Sequence, residues 1–362
     1  MKYKYFLSSL IGISPSSRIK LSTVFGNEEE LYKASDKAID SLVFISKNAR
    51  DIYIESRHTF DIEKDYDNFI KNQQSLVTYN DPSYPQKLKT ISDPPYCLFY
   101  FGTLPDENKT CIAMVGARRC SAYGRTMARD IAQRLAQAGY IVVSGMARGI
   151  DSESHRGALE AGGTTCAVLG CGIDTCYPPE SRDIYDHAPE KGCVLSEYRP
   201  GTAPIPTFFP LRNRIISGLS RSILVLEARE HSGSLITAEL ATEQGRDVYA
   251  LPGRVTDAMS AGCNRLIAQG AYVIRSPQSI ISDLSADEAY TSIPLSIPAD
   301  PQIDLEGDER IIYDCFDFYS KSIDTVQKES GFELLRLLSV IMQLCQKGLI
   351  RESFKNEYIR MG

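Results

Sequence analysis

Cys111-Ile112-Ala113-Met114-Val115-Gly116-Ala117-Arg118-Arg119-Cys120-Ser121-Ala122-Tyr123-Gly124 opens with an unbroken apolar run, Cys111–Val115, that stops at Gly116 and passes into a helical pattern reaching about Ala138. A strand that is apolar throughout, rather than at alternate positions, is buried on both faces, which is the condition of a parallel sheet flanked by helices. Working outward, the same unit recurs. Residues 141–143, 166–169, 193–195, 223–226, 248–251 and 272–274 are apolar runs separated by helical patterns. This alternation predicts an α/β fold, an extended Rossmann-like, doubly wound and mostly parallel sheet, within residues 76–285. In such sheets ligands collect outside the carboxyl ends of the strands.

The flanks read differently. Residues 1–75 are short helical patterns broken at Gly12, Ser14-Pro15 and Gly26, a small helical domain of the SAM or helix-hairpin-helix kind. Turn-rich text follows, Tyr79-Asn80-Asp81-Pro82-Ser83-Tyr84-Pro85 and Asp93-Pro94-Pro95, and Leu98-Phe99-Tyr100-Phe101 is expected to form an edge strand before Gly102. Residues 286–303, rich in Ser, Pro and Asp, are expected to be a linker. Residues 304–362 predict a winged-helix-like domain, with helices over 306–318, 322–330 and 332–347 and a hairpin from 348–352 and 358–359. Its third helix, opening Leu334-Leu335-Arg336-Leu337-Leu338, is too apolar to read DNA and is expected to pack on protein.

Composition narrows the function. The 362-residue chain carries a net charge of −6 and is 43% hydrophobic, so any nucleic-acid site must be a local basic patch on an acidic globular body. Most of the ten cysteines sit in apolar runs, where a thiol acts as a small hydrophobe, and a reducing cytoplasm is expected. The close-paired ligands of structural zinc are absent from the sequence, so neither metal nor cofactor is expected. No run approaches the roughly 20 apolar residues of a membrane span. The first residues predict an amphipathic helix rather than a signal peptide.

The candidate site is spread over several loops. In Phe208-Phe209-Pro210-Leu211-Arg212-Asn213-Arg214-Ile215-Ile216-Ser217-Gly218, rings that stack on bases lie beside guanidinium groups that fork onto phosphates, the two ingredients of single-strand binding. After the first strand, Gly116, Arg118, Arg119 and Ser121 are expected to hold phosphate with backbone amides and positive charge. After the second, Ser144, Gly145 and Arg148 would add to it, with Asp151 as a helix N-cap. Ser232, Gly233 and Ser234 form a third loop of the same kind. The glycine spacing lacks the G-x-G-x-x-G of dinucleotide sites, so NAD is not expected. His155 has no nucleophile near it in sequence and is expected to be structural; no catalytic residue is assigned.

Taken together these motifs resemble the DNA-processing protein A (DprA/Smf) family, through Tyr79-x-Asp81-x-x-Tyr84-Pro85, Val115-Gly116-x-Arg118-x-x-Ser121, Ser144-Gly145-x-Ala147-x-Gly149-Ile150-Asp151, Phe209-Pro210-x-Arg212-Asn213-Arg214, Ser232-Gly233-Ser234-Leu235-x-Thr237 and Gly262-x-Asn264-x-Leu266-Ile267. The resemblance implies a cytoplasmic, non-enzymatic mediator that binds and protects incoming single-stranded DNA, loads the RecA recombinase during natural transformation, and forms a homodimer through its Rossmann domain. It implies phosphate contact at Arg118 and base stacking at Phe209. The chain departs from the pattern at Pro206, where many relatives have lysine, and at His231, where arginine is common, which implies fewer charge contacts. The alternative is a nucleotide hydrolase of the lysine-decarboxylase-like group, but 231–239 lacks that group's proline and double glycine.

Overall fold

The computed structural model describes residues 1–286, 305, 307–316, 321–354 and 356–360. Six helices come first: α1 (Lys2–Ser9), α2 (Pro15–Val24), α3 (Glu28–Lys33), α4 (Asp36–Asp40), α5 (Lys47–Thr59) and α6 (Ile62–Lys71). Ser14 caps α2 through its hydroxyl, with Pro15 at the first helical position, where a missing N–H is harmless. Then come β1 (Ser75–Thr78), β2 (Cys97–Gly102), β3 (Cys111–Val115), α7 (Ala122–Gln137), β4 (Ile141–Ser144), α8 (Ile150–Glu160), β5 (Thr165–Leu169), α9 (Arg182–Lys191), β6 (Cys193–Ser196), α10 (Phe208–Leu219), β7 (Ser222–Val225), α11 (Gly233–Glu243), β8 (Asp247–Ala250), α12 (Ala261–Ala268), β9 (Tyr272–Val273) and α13 (Pro277–Ala286).

These nine strands form one sheet in the order β1-β2-β6-β5-β4-β3-β7-β8-β9. From β6 to β9 every pairing is parallel, while β2 joins β6, and β1 joins β2, antiparallel. The predicted Rossmann-like, mostly parallel sheet is therefore present. The strand at 97–102 is not an edge: it is paired on both sides, and β1 is the edge. Its apolar run reflects that interior position.

Burial on both faces is visible along β3. Cys111, Ala113 and Val115 enter one core with Ile215, Ile216 and Leu219 of α10 and Leu235 of α11. Ile112 and Met114 enter another with Met127, Ile131 and Leu135 of α7. The N-terminal helices do not stand apart, since Tyr5, Phe6, Tyr53 and Phe69 share a core with Phe99 of β2, Leu169 of β5 and Val194 of β6.

The expected linker lies, from residue 287 to 303, outside the described residues. Beyond it α14 (Gly307–Cys315), β10 (Lys321–Ser322), α15 (Ile323–Ser330), α16 (Leu334–Gln346), β11 (Ile350–Phe354) and β12 (Glu357–Arg360) surround a core of their own, with the strands ordered β10-β12-β11.

Candidate nucleic-acid interface

The chain leaves β3 for β4 on one side and later returns to place β7 on the other, so the strand order reverses at β3. Such a reversal opens a crevice at the carboxyl ends, because the loops after the two neighbouring strands turn to opposite faces. Here the crevice is a groove of about 380 Å³. Of the predicted site residues, Gly116, Arg118, Arg119, Phe209, Arg212, Asn213, Ser232, Gly233 and Ser234 line it. Arg118 and Arg119 are exposed to solvent.

Phe209 is the centre of the arrangement. Its half-buried ring has the Arg118 guanidinium 5.8 Å from its centroid and the Tyr177 ring 5.4 Å away, tilted by 38°. The ring reaches over the sheet because Gly170 follows β5; a Cβ there would lie 2.9 Å from a Phe209 ring carbon. Ser232 caps α11 by accepting from the Ser234 amide, which aims the start of that helix into the groove.

Five predicted residues do something else. Ser121 caps α7, but its amide and hydroxyl both donate to the Glu227 carboxylate, with the amide at 2.8 Å. The helix start expected to hold phosphate is thus filled by the protein's own anion, and Gly124 has no Cβ because one would lie 2.4 Å from the Glu227 carboxyl carbon. Ser144 is fully buried and donates to the Met114 carbonyl at 2.6 Å. The Gly145 amide donates to Asp151 at 3.2 Å rather than pointing at a ligand. Arg148 pairs with Glu180 at 2.6 Å away from the groove lining. Arg214 is buried, forked onto both oxygens of Glu197 at 2.8 and 2.6 Å, and bonded to Asp93. Asp151 is not the cap of α8 either: Gly149 is, with a φ of 78° and ψ of −127° that a side chain resists.

Arg212 lines the groove yet is only 3% exposed. Its Nη1 donates to the carbonyls of Gly145, at 2.9 Å, and Val168, at the ends of β4 and β5. Burial pulls its pKa down to about 10, with Asp151 opposing, so it stays charged at neutral pH. Burial likewise raises Asp151 to about 6, against the pull of Arg212. The groove floor is therefore a buried charge pair set between strand ends.

His155 lies fully buried beneath this floor, its Nδ1 2.7 Å from the Thr165 hydroxyl. Desolvation first, and the Arg212 charge second, drive its pKa down to about 3. The unfolded chain takes up a proton below about pH 6.5 that the folded chain refuses. The associated stability is present above that pH and drains away as pH falls toward 3. His155→Gln should lose less stability than the native protein between pH 7 and pH 4 in urea titrations. Asp151 acts in the opposite sense over about pH 4–6 in both proteins and cancels in the difference. Parallel pH profiles would refute this account.

Two lining or flanking groups were not singled out from sequence. Arg229 lines the wall beside His231, its Nε 3.2 Å from the Met259 sulfur, and brings a guanidinium where His231 has none. Tyr177, 42% exposed, is brought to Phe209 by the long segment after β5. The only sequence sign of Tyr177 was an aromatic placed before two prolines.

A Rossmann-like sheet whose switch-point groove combines guanidinium groups, a serine-capped helix start and a half-exposed ring is built to receive an anionic, ring-bearing ligand. The chain belongs to the DNA recombination-mediator protein A family, whose model matches residues 75–285, from β1 into α13. It is 44% identical over 203 residues to the DNA processing protein DprA of Streptococcus pneumoniae, covering 56% of this chain and 72% of that one. It is 35% identical over 310 residues to the protein Smf of a Synechocystis strain, covering 84% and 76%. The crystal structure of Streptococcus pneumoniae DprA superposes with a TM-score of 0.68 at 33% identity, over 78% of this chain and 98% of that one. DNA processing protein A of Helicobacter pylori, reported for a unique single-stranded DNA binding mode, gives 0.54 at 30% identity, over 59% and 97%.

Proposed function

We propose that the groove binds single-stranded DNA, and that the protein is a non-enzymatic cytoplasmic mediator that protects the strand and loads the RecA recombinase onto it, acting as a homodimer. The observation that carries the reading is Phe209, a half-buried ring held at the switch point with Arg118 against it. The binding mode reported for the Helicobacter pylori relative supports it. Arg118 sits over the ring. An incoming base takes that face, and Arg118 swings to the adjoining phosphate, so stacking and charge pairing form in one step. At the start of α11 the Gly233 amide and the hydroxyl pair of Ser232 and Ser234 hold a neighbouring phosphate, while the Ser234 amide is kept by the Ser232 cap. These contacts reach rings and phosphates rather than base edges, so sequence preference should be slight. In the C-terminal unit Arg336 is tied to Asp308 while Leu335 and Met342 of α16 are 83% and 65% exposed, which supports protein contact there rather than DNA reading.

Fluorescence anisotropy with labelled oligo-dT and a matching duplex, at two salt concentrations, tests the groove. Native protein should prefer the single strand. Phe209→Ala should lose about 1–3 kcal/mol of binding. Arg118→Ala should weaken binding and lower the salt slope by about one. Unchanged affinity in both variants would sink the groove.

A further inference from the structure

A second cleft, of about 240 Å³, lies across α10 from the groove, between the turn joining α1 to α2 and the segment after β6. Helical periodicity divides α10 between the two. Phe208, Leu211 and Arg214 face the second cleft, and Phe209, Arg212 and Asn213 face the groove. Phe208 and Phe209 are consecutive, their Cα atoms about 3.8 Å apart. One aromatic pair therefore opens into both spaces.

Within the second cleft the Phe208 ring stacks on Tyr198, with centroids 4.2 Å apart and planes inclined by 19°. Both residues are half-buried. Leu10, Ile13 and Leu211 make the walls apolar. Three arginines, 18, 199 and 214, and two carboxylates, Asp93 and Glu197, line it, so three minus two leaves one net positive charge. Arg214 is the partner of both carboxylates, which places the excess with Arg18 and Arg199. The buried Nε of Arg18 has no hydrogen-bond partner, although its other nitrogens donate to the Ser8 and Leu10 carbonyls. Stacked rings, apolar walls and surplus positive charge complement a nucleotide: a flat base bearing a phosphate. Leu211, 54% exposed, lies in the wall of this cleft and does not line the groove.

We propose that this cleft is a second nucleotide subsite, taking a further unpaired base of the strand that stacks on Phe209. The base lies against the Tyr198 and Phe208 pair, and its phosphate is held by Arg199. The proposal rests on the reading of the groove as a single-strand site and extends the strand's path onto the N-terminal helices.

The test uses full-length protein and oligo-dT strands carrying 5-iodouracil at successive positions, irradiated and mapped by peptide mass spectrometry. Crosslinks to Tyr198 or Phe208 are expected from positions close to those that crosslink Phe209 or Tyr177. In parallel, Leu211→Glu puts a carboxylate in the wall of the second cleft, at an exposed position of α10 that does not line the groove. It should weaken a twelve-nucleotide strand by about fivefold or more, the worth of one stacked base, and leave a strand short enough to fill only the groove nearly unchanged. Crosslinks confined to Phe209 and Tyr177, with Leu211→Glu neutral at both lengths, would overturn the subsite and leave the groove standing. Thymidine monophosphate that suppresses the Tyr198 crosslink but not the Phe209 one would reassign the cleft to a free nucleotide and overturn the strand path. No native binding at either length would overturn the groove reading and the subsite with it.

Discussion

Arg212→Ala should cost about 3–5 kcal/mol of folding stability, the range for removing one partner of a buried charge pair. The side chain is not a free cation waiting for phosphate. Its guanidinium spans from α10 to the carbonyls of Gly145 and Val168, tying the helix that carries Phe209 to the ends of β4 and β5. Gly145 is shaped for it, since a Cβ there would lie 2.4 Å from Nη2. Alanine would leave two carbonyls without that donor and Asp151 without its nearby positive charge. The pH dependence supplies a second readout. Arg212 opposes the rise of Asp151, so its loss lifts that carboxyl above the present value of about 6. The penalty of a raised acid is fully present above its folded pKa and fades as pH falls toward its unfolded value near 4. The deficit in urea titrations should therefore be larger at pH 8 than at pH 5. Arg212→Lys should recover only part of the loss, because an ammonium is a point charge without a planar fork. A native urea midpoint combined with weaker DNA binding would return Arg212 to the role of phosphate ligand.

The strands were legible because a parallel strand buried on both faces has no polar position to interrupt it, as Cys111–Val115 shows. The place of Cys97–Gly102 in the sheet was not, since its inner neighbour lies almost a hundred residues on, at Cys193–Ser196, and pairing at that distance leaves no local mark. The site divides along the same line. Loops after strands can be found from glycine, serine and arginine near an apolar run, and these led to Arg118, Arg119 and the loop at Ser232. Which cations and amides already have partners depends on contacts remote in sequence. Glu227 reaches Ser121 across 106 positions, and Asp93 reaches Arg214 across 121. Residue type and local position made Ser121 and Arg214 look like phosphate ligands, whereas the fold gives them anions of its own.

Arg214→Ala is expected to be comparably damaging, again about 3–5 kcal/mol, for a reason that separates it from the groove. The guanidinium is forked onto Glu197, just after β6, while its Nε meets the carbonyl and carboxylate of Asp93 in the turn-rich segment before β2. One side chain thus joins α10, the β6 end and the connector. The Glu197 side chain is itself largely buried, so removing the arginine strands a carboxylate away from water. Glu197→Gln should be milder than Arg214→Ala, because an amide still accepts from the guanidinium. The double variant should be more stable than the sum of the two losses predicts, with a coupling of about 0.5–3 kcal/mol, as contacting partners require. Strand affinity separates the two accounts of this residue. With the folded fraction held constant, Arg214→Ala should bind oligo-dT with the native salt slope, since the native guanidinium meets Glu197 and Asp93 rather than phosphate. A slope reduced by about one, the signature of a lost phosphate contact, would show that Arg214 leaves Glu197 when DNA binds.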